Sequence, residues 1–291
     1  MEANDFILRE ENSDPPEILR RRRNVPSAKG ILDFFLRFGR YLFAISLGAF
    51  AVQYFVYAHK LRDLLNIPPY TVLHSISAYF IGAALFVTAL SIGTGIRATL
   101  LSRILGASLL LDFLIFHVAR VLQNLQSTSM RTRAFGTLAI AGVSFVLGAT
   151  FSREKSGVST APVEATENFG VLLVAVSLAI FGAQHFAYHG YLVSLVPSWI
   201  PASSFLVYLT GAAFLAAALS FAIRKLARLA GILLALMFLI WIALIQAPLI
   251  AHSPQHGHLW SGLFAAVASA GSGLILAESF SSDTRQAQIS E

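Results

Sequence analysis

The sequence predicts an all-α integral membrane protein, with eight transmembrane helices arranged as two parallel-repeat four-helix bundles. Three observations lead there. The chain has 56% hydrophobic and only 12% charged residues over 291 positions, roughly half the charged share of a soluble domain. Its long apolar runs approach the ~20 residues that a bilayer crossing needs. The small, aromatic and polar residues of the first four runs recur, in order, in the last four.

Residues 1–37 read as a basic, partly disordered tail, with Asp14-Pro15-Pro16 and the run Arg20, Arg21, Arg22 and Arg23. That run suits an anionic lipid surface. Residues 31–38 read as a segment lying at the membrane surface before the first span. No cleavable signal sequence is expected, because the first apolar run begins near Phe38 and is too long for one. The first membrane unit, 38–151, holds spans at about 38–58, 72–92, 100–122 and 134–151. The polar stretch 152–168, SREKSGVSTAPVEATEN, reads as a linker. The second unit, 169–279, holds spans at about 169–188, 203–223, 226–250 and 259–277, and a polar tail occupies 280–291. The runs lack the two-residue alternation of barrel strands.

The repeat is read from several anchors. SLGAFAVQYFVY at 46–57 matches SLAIFGAQHFAY at 177–188, setting Gln53 on Gln184 and Tyr57 on Tyr188. Ile67-Pro68 falls on Val196-Pro197, and YFIGAA at 79–84 on YLTGAA at 208–213. Arg103 to Gly106 falls on Arg228 to Gly231, which sets Asp112 on Met237; Phe135 and Gly142 fall on Phe264 and Gly271. Four spans per unit is an even number, so both units enter the membrane in the same direction. That makes a parallel repeat, unlike the inverted repeats common in secondary transporters.

Orientation follows from Lys and Arg placement. With both termini cytoplasmic, only Lys60, Arg62, Arg120, Arg131 and Arg133 lie outside, leaving 16 of the 21 basic residues inside. The net charge of +6 thus reflects orientation and lipid attraction, and no nucleic acid partner is expected. The absence of cysteine excludes thiol chemistry, cysteine-held iron–sulfur clusters and covalent haem attachment.

All eight histidines fall toward the outer side in this topology. Gln184, His185, Tyr188 and His189 form the densest polar group in a span, with the pairs 184/188 and 185/189 each sharing a helix face. Gln246 in span 7 can face them, near Pro248. The group reads either as a ligand pocket or as interhelical hydrogen bonding. His252, His256 and His258 are the one stretch resembling a metal cluster. Pro254 and Gly257 break it and no carboxylate joins it, so no metal site is expected. Asp112 is the one acid near mid-span, either a structural, hydrogen-bonded acid or part of a proton relay. Trp199 and Tyr191 suit an interfacial aromatic belt.

The second half resembles the DoxX-like family of four-span membrane proteins. Gly182, His185-Phe186, Val196-Pro197, Trp199, Pro201, Thr210-Gly211, Gly271 and Leu276-Ala277 carry the likeness, over 169–277. The first half shares it only through the repeat, with Tyr54 in place of His185. The resemblance implies a bacterial inner-membrane protein and a subunit associated with quinone-linked oxidation beside a redox partner. Quinone is the ligand it suggests. No catalytic constellation is identifiable, and a non-catalytic scaffold or assembly partner is the alternative. A small-solute transporter fits less well, because discontinuous helices and a set of intramembrane charges are missing.

Overall fold

In a computed structural model, residues 28–57, 73–124 and 126–289 are described. Arg20 to Arg23 and His59 lie outside them, as does the side chain of His74. The described residues are helical, without strands, and include eight helices long and apolar enough to cross a membrane. They are α1 (Ala28–Val56), α2 (Leu73–Thr94), α3 (Ala98–Gln123), α4 (Thr128–Ser156), α5 (Ala161–Ala187), α6 (Ser203–Ile223), α7 (Ala227–His252) and α8 (Gly257–Ile289). A short helix, His189–Leu195, follows α5. Large apolar side chains such as Phe80, Leu111, Phe205, Leu219 and Leu229 stand exposed. In water such a surface would aggregate; in hydrocarbon it is the solvated face.

Three boundaries differ from the sequence reading. The surface segment at 31–38 is part of α1, which is one continuous helix. The linker at 152–168 shrinks to a turn, because α4 runs to Ser156 and α5 begins at Ala161. Gly157, at φ 71°, ends α4 by donating its N–H to the Arg153 carbonyl, a conformation that suits glycine. Thr160 then precedes a helix with Pro162 in its first turn and Glu164 beside it, both favoured at a helix start. The tail from 280 continues α8 to Ile289.

Within the body that begins at Leu36, each span packs on its chain neighbours, and α4 also touches α8. α1 closes on α8, where a Cβ on Gly39 would stand 2.8 Å from the Gly271 carbonyl oxygen. α4 meets α5 the same way, since a Cβ on Gly142 or Gly170 would stand 2.5 Å from the other's carbonyl oxygen. Backbones approach this closely only where side chains are missing, which is how helices gain contact in lipid. α4 is the most enclosed span. The main core gathers Phe43, Val143, Val146, Leu147, Phe221 and Ile275.

α3 and α7 are built alike. Each runs fifteen α residues, then five π residues (Phe113–His117 and Ile242–Gln246), then six α residues. Pro248 gives a cause in α7, since it lacks an N–H and crowds the carbonyl four residues back. α3 has Ala119 six residues after its π segment begins, where α7 has Pro248. The end of the bundle holding the tight turns carries the charges. Arg40 of α1 bonds Glu154 of α4 at 2.7 and 3.1 Å and Glu278 of α8 at 3.1 Å. Arg153 of α4 pairs with buried Glu167 of α5.

A Gly170→Ala substitution should push α4 and α5 apart and cost about 1–3 kcal/mol. Gly136→Ala, where nothing lies within 4 Å of the added Cβ, should cost nothing and raise stability by up to about 1 kcal/mol, alanine being the better helix former. Thermal unfolding of both variants in one detergent measures the contrast.

Candidate functional site

The end opposite the charge pairs is the histidine end. There the α5 residues divide between two neighbours. Gln184, only 6% exposed, accepts a 2.9 Å hydrogen bond from the Thr132 hydroxyl of α4. Tyr188, one turn on, accepts one from Arg131 of α4, whose guanidinium also lies 4.8 Å from the Tyr188 ring centre. His185 and His189 turn instead to their own helix and to α6. His185 Nδ1 lies 2.8 Å from the Phe181 carbonyl, and its ring packs edge-on to Phe214. His189 Nε2 lies 3.0 Å from the Ser204 hydroxyl, and its ring stacks on Tyr208 at 4.0 Å. The four residues therefore bond toward two different neighbours, Gln184 and Tyr188 to α4 and His185 and His189 toward α6.

Gln246 lies on the π segment of α7 and faces α8. A Cβ at Gly262 would stand 3.2 Å from both its amide atoms, and its Oε1 is buried with no hydrogen-bond partner. Among the described residues no hydrogen bond joins it to the α5 group. His252 ends α7, and the His256 and His258 rings lie 5.6 Å apart, edge to face. No group of three or more metal-ligating side chains converges among the described residues.

Asp112 has a closer partner. Its carboxylate lies 3.3 Å from His117 Nε2, and the same nitrogen lies 3.4 Å from the Thr137 hydroxyl of α4. Thr137 spends its own proton on the Arg133 carbonyl at 3.1 Å. This leaves its oxygen to accept from His117. Residues five apart point about 140° from one another on a regular helix. The π segment between Asp112 and His117 brings them together, and such segments are frequent at functional sites. The Asp112 side chain is 45% exposed and that of His117 18%. Around them Leu111, Leu114, Ile115 and Phe116 are exposed. Asp112 also lies within electrostatic range of the Tyr54 hydroxyl on α1, and Tyr54 packs against buried Ala78 of α2.

The glutamine of α1 also bonds across helices. Gln53 Nε2 donates to the Ser261 hydroxyl at 2.7 Å and to the Gly257 carbonyl at 3.1 Å, both on α8. The sequence reading set Gln53 beside Gln184 but did not find Thr132, Arg131 or Ser261. The remaining signal was spacing, with a hydroxyl or arginine in the first turns of spans 4 and 8.

The fold and these contacts define a multi-pass helical membrane protein in which most serine and threonine hydroxyls bond within their own helix, while Gln53, Gln184 and His117 bond across helices. A family model described as a domain of unknown function (DUF8561) matches residues 174–263. That stretch runs from within α5 into α8, so it includes the α5 polar group and Gln246 but not Asp112 or His117. No curated protein and no solved structure matches the chain.

An exposed carboxyl in a span should react with a hydrophobic carbodiimide arriving through lipid. Asp112 is expected to be labelled by dicyclohexylcarbodiimide, and Glu167, paired and 5% exposed, to be spared; peptide mass spectrometry reads both.

Proposed function

We propose that the protein is a redox-associated membrane subunit that binds a quinone-type ligand beside Asp112 and His117. The supporting observation is the carboxylate–imidazole–hydroxyl chain on the π-widened turn of α3, open on an apolar flank. With Nε2–H directed at Asp112 and Thr137, His117 keeps Nδ1 for a ligand, and no partner occupies it among the described residues. A neutral imidazole accepts the proton of a quinol hydroxyl there, and Asp112 steadies the imidazolium that results. The protonated form donates to a quinone carbonyl. Electrons would pass to a partner subunit, the arrangement that the DoxX-like resemblance also suggests.

This moves the ligand from the second half, where the sequence placed it, to the first. Co-purified quinone should fall about tenfold in His117→Ala and in Asp112→Asn and stay at the wild-type level in His185→Ala. Extraction and chromatography measure it. Wild-type protein free of quinone would sink the reading. A scaffold role is the second reading, favoured by the Gln184–Thr132 and Gln53–Ser261 bonds, which hold helices and leave those groups little for a substrate.

The same proposal includes a parallel duplication. Matched features support it. The π segments are offset by 129 residues, as are the left-handed residues Arg97 and Leu226 and the starts of α4 and α8. Gly39–Gly271 and Gly170–Gly142 are corresponding contacts, as are Phe55–Tyr79 and Phe186–Tyr208. In this register Asp112 meets Trp241 and His117 meets Gln246, one turn from the sequence alignment, which set Asp112 on Met237.

A bacterial inner membrane with both termini cytoplasmic completes the proposal, supported by the basic residues gathered at the tight-turn end. A periplasm-active reporter fused after His256 should give signal, and one inserted at Gly157 should not. The reverse pattern would invert the orientation.

A further inference from the structure

We propose that the α4–α5 seam at the histidine end is a binding site for a phosphate-class oxyanion, held by Arg131 and Gln184. The inference is independent of the quinone reading. Two buried donor atoms without acceptors lie along that seam, one on each helix. Gln184 is 6% exposed, its Oε1 is taken by Thr132, and its Nε2 is buried with no partner. Arg131, the residue before Thr132, gives one terminal nitrogen to Tyr188, while its Nε is buried and unpartnered. Tyr188 is one turn from Gln184, so both donors belong to the same stretch of seam.

The corresponding seam shows what a satisfied site looks like. Gln53 spends its amide nitrogen on Ser261 and on the Gly257 carbonyl. The α4–α5 seam has the same glutamine and hydroxyl, and in the proposed register it has Arg131 where the other seam has Trp260. It therefore adds a positive charge and lacks an acceptor. Among the described residues no carboxylate pairs with Arg131. A water molecule could take the amide proton, but it would bring the guanidinium no countercharge. An oxyanion answers both donors. Arg131 lies in the first turn of α4, at the end of the span, and Thr132 and Arg133 are exposed, so the seam is open from the side. The ligand is an anionic lipid headgroup or free phosphate, which share this chemistry.

Native mass spectrometry of the full chain in maltoside detergent, which carries no phosphate, separates the sources. One arm adds phosphatidylglycerol and the other inorganic phosphate. Wild-type protein is expected to hold one equivalent of one of them. Its affinity should fall about tenfold in Arg131→Gln and in Gln184→Leu, the loss expected when a charge-assisted hydrogen bond goes. Arg120→Gln, at the same end, should bind as wild type. If Arg131→Gln does not fold, Gln184→Leu carries the test alone. Uptake of neither probe by wild type overturns the proposal, and so does equal uptake by the variants.

Discussion

The closest helix contacts are backbone against backbone, at Gly142–Gly170, at Gly231–Gly273 and at Gly39–Gly271. Lipid gives helices little hydrophobic reason to associate, so contact area and interhelical hydrogen bonds must supply it. Both depend on how near two axes can come. At 2.5 Å from a carbonyl oxygen, no Cβ fits without movement. The α4–α5 and α8–α1 seams therefore hold their present spacing only with glycine at those positions. The Gln184–Thr132 and Gln53–Ser261 bonds lie further along the same two seams, and short side chains reach across them because the glycines have set the separation.

The two ends of the bundle solve polarity differently. At the tight-turn end several arginines are paired with glutamates across helices. Arg40 ties α1 to Glu154 and Glu278, and Arg153 ties α4 to Glu167. A buried arginine–glutamate pair adds little net stability, yet losing one partner costs several kcal/mol, so these pairs fix which helices lie together. At the histidine end hydrogen bonds among Gln53, Ser261, Thr132 and Gln184 hold the seams, and Asp112 has an exposed carboxylate while Arg131 has a buried, unpartnered Nε.

How much of this was legible in the sequence differs by feature. Span existence was plain, because a run such as 203–223 has one physical reading. The 152–168 segment misled because its polar composition outweighed its local signals; Gly157 as a stop and Thr160-Ala161-Pro162 as a start were there to read. The Asp112–His117 pair was hidden for a deeper reason. Regular helix geometry separates residues five apart, and nothing in FLIFH announces a π turn. Pro248 hints at one in α7, but α3 has Ala119 in the matching place. Likewise Gln184 and His185 looked like one group because they are adjacent in sequence. Adjacent residues on a helix face about 100° apart, so one meets α4 and the other turns toward α6.

That divergence bears on why the halves differ. Under the proposed duplication, one scaffold carries Tyr54, Asp112 and His117 in the first copy and His185, Trp241 and Gln246 in the second. The first set contains an acid and a base in contact; the second contains no acid. The seams diverge the opposite way. The α8–α1 seam satisfies its glutamine, and the α4–α5 seam leaves its glutamine open and sets an arginine beside it. Glycines and hydroxyls that hold helices together must persist in both copies, or the bundle loosens. The ionisable residues carry no such obligation, and a duplicated frame lets each copy keep a different one.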